Sequence, residues 1–135
     1  MKNVHLIAAC GVGMASLAGM LKEKGCRVTG SDANVYPPMS TQLESLGIRL
    51  ASPYAAENIP PDADLVVVGN AVSRGNPEAQ EAVRRGMPTL SMPQAVARFF
   101  IEGRDSIVVA GTHGKTPTTS LAAWSLFSLG AAPSF

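Results

Sequence analysis

With 135 residues, 46% of them apolar and 16% charged, the chain is long enough to bury one core and too apolar to stay disordered. A net charge of +1, with no run of Lys or Arg, excludes the electrostatic footprint of a nucleic-acid binder or a polybasic membrane segment. The apolar stretch near Met1 meets Gly11 too soon for a secretory leader or a membrane span. Cys10 and Cys26 lack metal-ligand spacing and read as two buried thiols in a reducing cytoplasm.

Residues 4–9 are short, apolar and ended by glycine, which predicts a buried strand. Met14, Leu17, Ala18 and Leu21 then recur at helical spacing, so residues 14–24 predict a helix closed by Gly25. Residues 27–30 predict the second strand, followed by Ser31-Asp32 and a loop containing Pro37-Pro38. Ser40 is placed to cap a helix over 40–46, and 48–50 form a third short strand. Residues 53–62 hold at most one helical turn. Asp64-Leu65-Val66-Val67-Val68 has no polar alternation, as expected of an interior strand. Asn76-Pro77-Glu78 opens a helix to Arg85, with proline at the first helical position. A strand over 87–90, a helix over 93–101 and a linker at Gly103-Arg104-Asp105 follow. His5, on the first strand, reads as a strand-end residue and not as a ligand.

Strands alternating with helices predict an α/β fold, a Rossmann-like doubly wound, mostly parallel sheet. Such sheets bind ligands beyond the carboxyl ends of their strands, at the switch point between the first and fourth. Three loops are expected to meet there, over residues 11–15, 31–40 and 69–76. The first reads Gly11-Val12-Gly13-Met14-Ala15-Ser16: two glycines permit close backbone approach, and the following helix offers free N–H groups to a diphosphate. The last position departs from the dinucleotide pattern, which wants Gly or Ala where Ser16 stands. Asp32, about 20 residues on, lies where such folds place a carboxylate for a ribose hydroxyl. A glycine turn needed only for packing is the alternative.

A second glycine loop closes the chain. Ile107-Val108-Val109-Ala110 runs into Gly111-Thr112-His113-Gly114-Lys115-Thr116 and then an apolar stretch, the strand–loop–helix order of a phosphate-binding loop. The full pattern fails at Val109, where glycine is expected. Nineteen residues follow Thr116, enough only for the opening of a second domain.

With the first domain, Gly-Thr-His-Gly-Lys-Thr resembles the Mur ligase family, the ATP-dependent ligases that build the peptide of peptidoglycan. Gly30-Ser31-Asp32-Ala33-Asn34-Val35-Tyr36-Pro37-Pro38-Met39-Ser40 and Gly69-Asn70-Ala71-Val72-Ser73-Arg74-Gly75-Asn76-Pro77 are similar to the branch that joins L-Ala-γ-D-Glu-meso-diaminopimelate to UDP-N-acetylmuramate. The next most similar branch adds L-alanine to the same sugar nucleotide. The resemblance spans all 135 residues but only the first of the family's three domains and the start of the second. It implies a UDP-sugar-binding domain over 1–103 and the opening of the central ATP-binding domain over 104–135.

The resemblance further implies that ATP, with Mg²⁺, phosphorylates the lactyl carboxylate of UDP-N-acetylmuramate, and that the amine of the murein peptide then attacks the acyl phosphate. Gly11, Gly13, Met14 and Ala15 would face the diphosphate, and Asp32 the uridine. Asn70, Ala71 and Ser73 would line the opposite wall, with Arg74 either an anion contact or a solvated loop cation. Lys115 would be the catalytic cation on the β- and γ-phosphates and Thr116 the Mg²⁺ ligand, in a loop shaped by Gly111, Thr112, His113 and Gly114. His113 is either ligand-facing or structural. These residues by themselves are expected to bind the sugar nucleotide without ligating it.

One departure stands out. The family usually continues Gly-Lys-Thr with further threonines, whereas Pro117 follows here, removing one N–H donor and biasing Thr116 away from helical geometry. Val108, Leu121, Trp124, Leu126 and Phe127 need cover, from the first domain or from a second copy in a homodimer. Two other functions remain open: a redox domain holding NAD through Gly11, Gly13 and Asp32, which leaves the second loop idle, and a non-catalytic module that senses a cell-wall precursor.

Overall fold

The apolar runs pair as five parallel strands, β1 (Asn3–Ile7), β2 (Arg27–Ser31), β3 (Arg49–Ala51), β4 (Leu65–Val68) and β5 (Thr89–Ser91), in the order β3-β2-β1-β4-β5. This is the expected doubly wound sheet, with its switch point between β1 and β4. The structure is a computed structural model and describes residues 1–134. It divides into two units, Met1–Glu102 and Gly103–Phe135.

Helices α1 (Val12–Glu23), α2 (Met39–Ser45), α3 (Pro77–Arg84) and α4 (Met92–Val96) connect the strands of the first unit, and α4 runs on into a π-helical turn at Ala97–Ile101. Alternation along each strand feeds two cores. Val4, Leu6, Val28, Leu65 and Val67 pack with Leu17 and Leu21 of α1, Leu43 of α2 and Ala95 of α4. On the other face Ile7 and Val66 pack with Ile59 and with Ala82 of α3.

Several local expectations shift. Asn76 does cap α3, its side chain accepting from the amides of Glu78 and Ala79 with Pro77 behind it. Ser40 is not a cap: α2 begins at Met39 after Pro38, and Ser40 is buried inside it. His5 is not a strand-end residue but the fully buried centre of β1, satisfied by hydrogen bonds. The first strand stops at Ile7 because Ala8 turns to φ +66°. Cys10 and Cys26 are free but half-buried, not buried, since both fall just outside the strands.

In the second unit α5 (Lys115–Ser128) follows Gly114, whose φ of +74° suits glycine. No strand forms over residues 104–110, contrary to the expected strand before the loop: among the described residues nothing pairs with it, and a strand without a ladder partner is not stable in water. Thr116 is helical despite Pro117, since proline's missing N–H and fixed φ suit a helix first turn. Leu121, Trp124 and Phe127 are exposed.

Candidate functional site

Parallel pairing in register sets Ile7 between Ser31 and Val68, so three chain segments leave the sheet side by side at its carboxyl edge. They enclose an open cleft of about 560 Å³, within the range of small-molecule sites. Gly69 permits this convergence: a Cβ there would lie 3.0 Å from the Ile7 carbonyl oxygen.

The first wall is the start of α1. Gly11 is its N-cap, in extended geometry, and no side chain caps the helix. First-turn amides, those of Gly13 and Met14 among them, therefore have no intrahelical acceptor and carry the positive end of the helix dipole. Gly13 stays open because its missing Cβ would stand 3.2 Å from Met92 Cε, at the start of α4. Ser91 and Gln94 close a reciprocal cap that holds this end of α4 in place.

The second wall follows β2. Asp32 Oδ2 accepts the Cys10 amide at 2.9 Å, and Oδ1 accepts the Asn34 amide at 3.2 Å. The carboxylate thus ties the second loop to the first and keeps lone pairs for a ligand hydroxyl. Tyr36 and Tyr54 add aromatic surface to this side. Burial raises the Tyr54 hydroxyl above its ordinary value and the Asp32 charge adds to it, against a backbone hydrogen bond at Ala33. Tyr54 therefore keeps its hydroxyl proton at neutral pH. Burial and the charges of Asp32 and Glu44 likewise raise the Cys10 thiol, which makes it a weak nucleophile.

The third wall carries Gly69, Asn70 and Ala71. Of the residues the sequence singled out, Gly11, Gly13, Met14, Asp32, Asn70 and Ala71 come together in the cleft. Ala15 lies beneath it, buried, with its amide bonded to the Gly11 carbonyl at 2.8 Å. Ser73 and Arg74 are exposed and outside the lining. Sequence reasoning passed over Ala8, Cys10, Tyr54 and Met92, whereas Tyr36 lies in the 31–40 loop that the strand order already brought to the site.

Among the described residues lining the cleft, none is Lys, Arg or His. An anion there meets the positive end of the α1 dipole and its free amides. The free α1 amides, the Asp32 carboxylate and the two tyrosines are groups that can orient a bound ligand.

The second glycine loop lies in the other unit. Lys115 Nζ donates to the carbonyls of Gly111 at 2.7 Å and Thr112 at 3.3 Å, and His113 Nδ1 lies 3.2 Å from Thr112 Oγ1. Lys115 and Thr116 fit a polyphosphate, one as cation and one as hydroxyl. No group of three His, Cys, Asp or Glu that could hold a metal occurs among the described residues. No helix of the described residues is long and apolar enough to cross a membrane.

The profile described as Mur ligase family, catalytic domain, matches residues 3–104. The chain is 46% identical over 133 residues to UDP-N-acetylmuramate–L-alanyl-γ-D-glutamyl-meso-2,6-diaminoheptandioate ligase of Escherichia coli, covering 98% of this chain and 29% of that protein. It is 42% identical over 131 residues to UDP-N-acetylmuramate–L-alanine ligase of Rubrobacter xylanophilus, covering 97% and 29%. A murein peptide ligase crystal structure from Psychrobacter arcticus superposes with a TM-score of 0.86 at 44% identity, over 96% of this chain and 27% of that one. The chain therefore spans less than a third of the length of these relatives. On the profile match and these identities, the chain belongs to the Mur ligase family.

Proposed function

We propose that residues 1–103 hold the UDP moiety of UDP-N-acetylmuramate for a cytoplasmic ligase that joins L-Ala-γ-D-Glu-meso-diaminopimelate to it. The observation that carries this is the cleft at the β1–β4 switch point, where the uncapped start of α1 stands beside Asp32 and Tyr54. The free α1 amides at Gly13 and Met14 bind the diphosphate, with Gly11 letting it approach the backbone. Asp32 accepts from the ribose hydroxyls, and the tyrosine wall excludes water from the base. Asn70 and Ala71 flank the sugar.

Residues 104–135 are the opening of the ATP-binding domain. Lys115 orients and neutralises the phosphates, and Thr116 contributes one hydroxyl to Mg²⁺. ATP supplies the phosphoryl group that turns the lactyl carboxylate, a poor electrophile at neutral pH, into a reactive one. The exposed apolar side chains of α5 support self-association of this chain, which sedimentation over a concentration series tests.

Calorimetry with UDP-N-acetylmuramate, Mg–ATP and NAD in turn tests the reading. Heat is expected from the sugar nucleotide. Saturable NAD binding with no response to the sugar nucleotide overturns it in favour of the redox domain.

A further inference from the structure

Behind the cleft lies a buried polar cluster that the binding role leaves unused. Glu78, at the second position of α3, is fully buried, as are His5 and Ser31. A lone buried carboxylate is strongly disfavoured, so its partners matter. Its Oε2 accepts from Ser31 Oγ and lies 3.2 Å from His5 Nε2; its Oε1 accepts from Asn58 Nδ2 at 2.7 Å and from the Ala55 amide at 3.2 Å. Burial alone would push this carboxyl up, but the bonds from His5, Ser31, Asn58 and the Ala55 amide outweigh it and hold Glu78 below the usual carboxylate range. Glu78 is thus an anion at neutral pH. An anion only accepts, so His5 carries its proton on Nε2.

The donors come from three places. His5 is on β1, Ser31 ends β2 directly before Asp32, and Ala55 and Asn58 belong to the segment that carries Tyr54. Asp32 in turn holds the Cys10 amide at the entrance to α1.

We propose that Glu78 is a positioning residue for the cleft: one buried carboxylate clamps the Asp32-bearing strand end to the Tyr54-bearing segment and so sets the spacing of Asp32 and Tyr54 on the wall that grips the nucleotide. The inference rests on the proposed UDP-sugar role for what is gripped, while the clamp itself is a property of the free protein. Glu78→Gln keeps the shape but not the four-acceptor capacity. Its amide would face Ser31 and His5, forcing the hydroxyl to turn and the imidazole to change tautomer. Thr29, which contacts His5 Nδ1 at 2.9 Å, lies at the end of the cluster away from the cleft.

The test compares Glu78→Gln, Ser31→Ala and Thr29→Val in the full chain. Readouts are thermal unfolding, amide NMR shifts without ligand, and calorimetric affinity for UDP-N-acetylmuramate. The clamp predicts that Glu78→Gln and Ser31→Ala, folded, shift the Cys10, Asn34 and Tyr54 amides and weaken binding about tenfold. Thr29→Val lowers stability but moves neither readout. If Glu78→Gln fails to fold, Ser31→Ala carries the test. Unmoved amides in the folded variants overturn the inference, as does equal displacement by Thr29→Val. A wild-type protein that ignores the sugar nucleotide while the amides respond as stated removes the proposed ligand and leaves the clamp standing.

Discussion

Ala8 and Gly69 meet at the switch point so closely that a Cβ on Gly69 would lie 3.1 Å from that of Ala8. Ala8 reaches this position with φ +66°, the one described non-glycine residue in the left-handed region. That conformation costs an alanine about 1–2 kcal/mol. Glycine removes this cost, and its larger loss of chain entropy on folding offsets part of the gain. Ala8→Gly is therefore expected to stabilise the domain by about 0.5–1 kcal/mol, read as a higher urea midpoint at constant slope. Ala8→Val, with a branched side chain at positive φ and against Gly69, is expected to destabilise it. A neutral Ala8→Val would contradict the backbone geometry.

Asp32 joins two walls of the cleft through the Cys10 amide. Asp32→Ala frees that amide and removes the carboxylate offered to a ligand hydroxyl. Losing a charged hydrogen-bond partner corresponds to about 1.5–3 kcal/mol, so affinity for UDP-N-acetylmuramate is expected to fall at least tenfold by calorimetry. Asp32→Asn, which keeps an acceptor for Cys10, is expected to fall between the two. Equal binding by wild type and Asp32→Ala would remove Asp32 from the site.

The sheet, its switch point and the convergence of three loops were legible because they follow from apolar runs alternating with helical spacing, and from glycines at the strand ends. Asn76-Pro77 announced the start of α3 through its own capping chemistry. What stayed hidden depends on distance in space. Nothing local marks Glu78 as buried: a glutamate in a helix first turn is ordinarily solvated, and its partners His5, Ser31 and Asn58 are 73, 47 and 20 residues away in sequence. Tyr54 reaches the cleft from a segment without periodicity, and Met92 from the start of a helix two strands over. Ser73 and Arg74 share a loop with Asn70 and Ala71 but lie outside the lining of the cleft, a difference of position that loop sequence does not encode.

Glu78 also contributes to the acid limb of stability. Its carboxyl is held below its ordinary value near 4.5 in the folded protein. A depressed carboxyl contributes stability in full above the unfolded-state pKa, and that contribution fades as pH falls through the folded one. The stability gap between wild type and Glu78→Gln is thus expected to be full at pH 7 and to close progressively below about pH 4.5. Urea unfolding at several pH values measures it. A gap that stays constant to pH 3 would mean that the anion contributes nothing beyond its shape.

Pro117 is the third residue of α5, immediately past Lys115 and Thr116. A threonine there would offer an amide to a phosphate at the helix entrance, where the dipole also favours an anion. The helix itself asks nothing of that amide, so Pro117→Thr leaves the fold of the loop intact. One charge-assisted hydrogen bond is worth about 1.5–3 kcal/mol, so Pro117→Thr is expected to bind Mg–ATP at least tenfold more tightly than wild type. Titration followed through the amide resonances of Gly111, Gly114 and Lys115 reports on that site directly. Lys115→Ala in the Pro117→Thr background is expected to cancel the gain, because the new amide then acts on a phosphate that no cation holds in place. Unchanged affinity in Pro117→Thr would show that the proline withholds no donor that a phosphate uses.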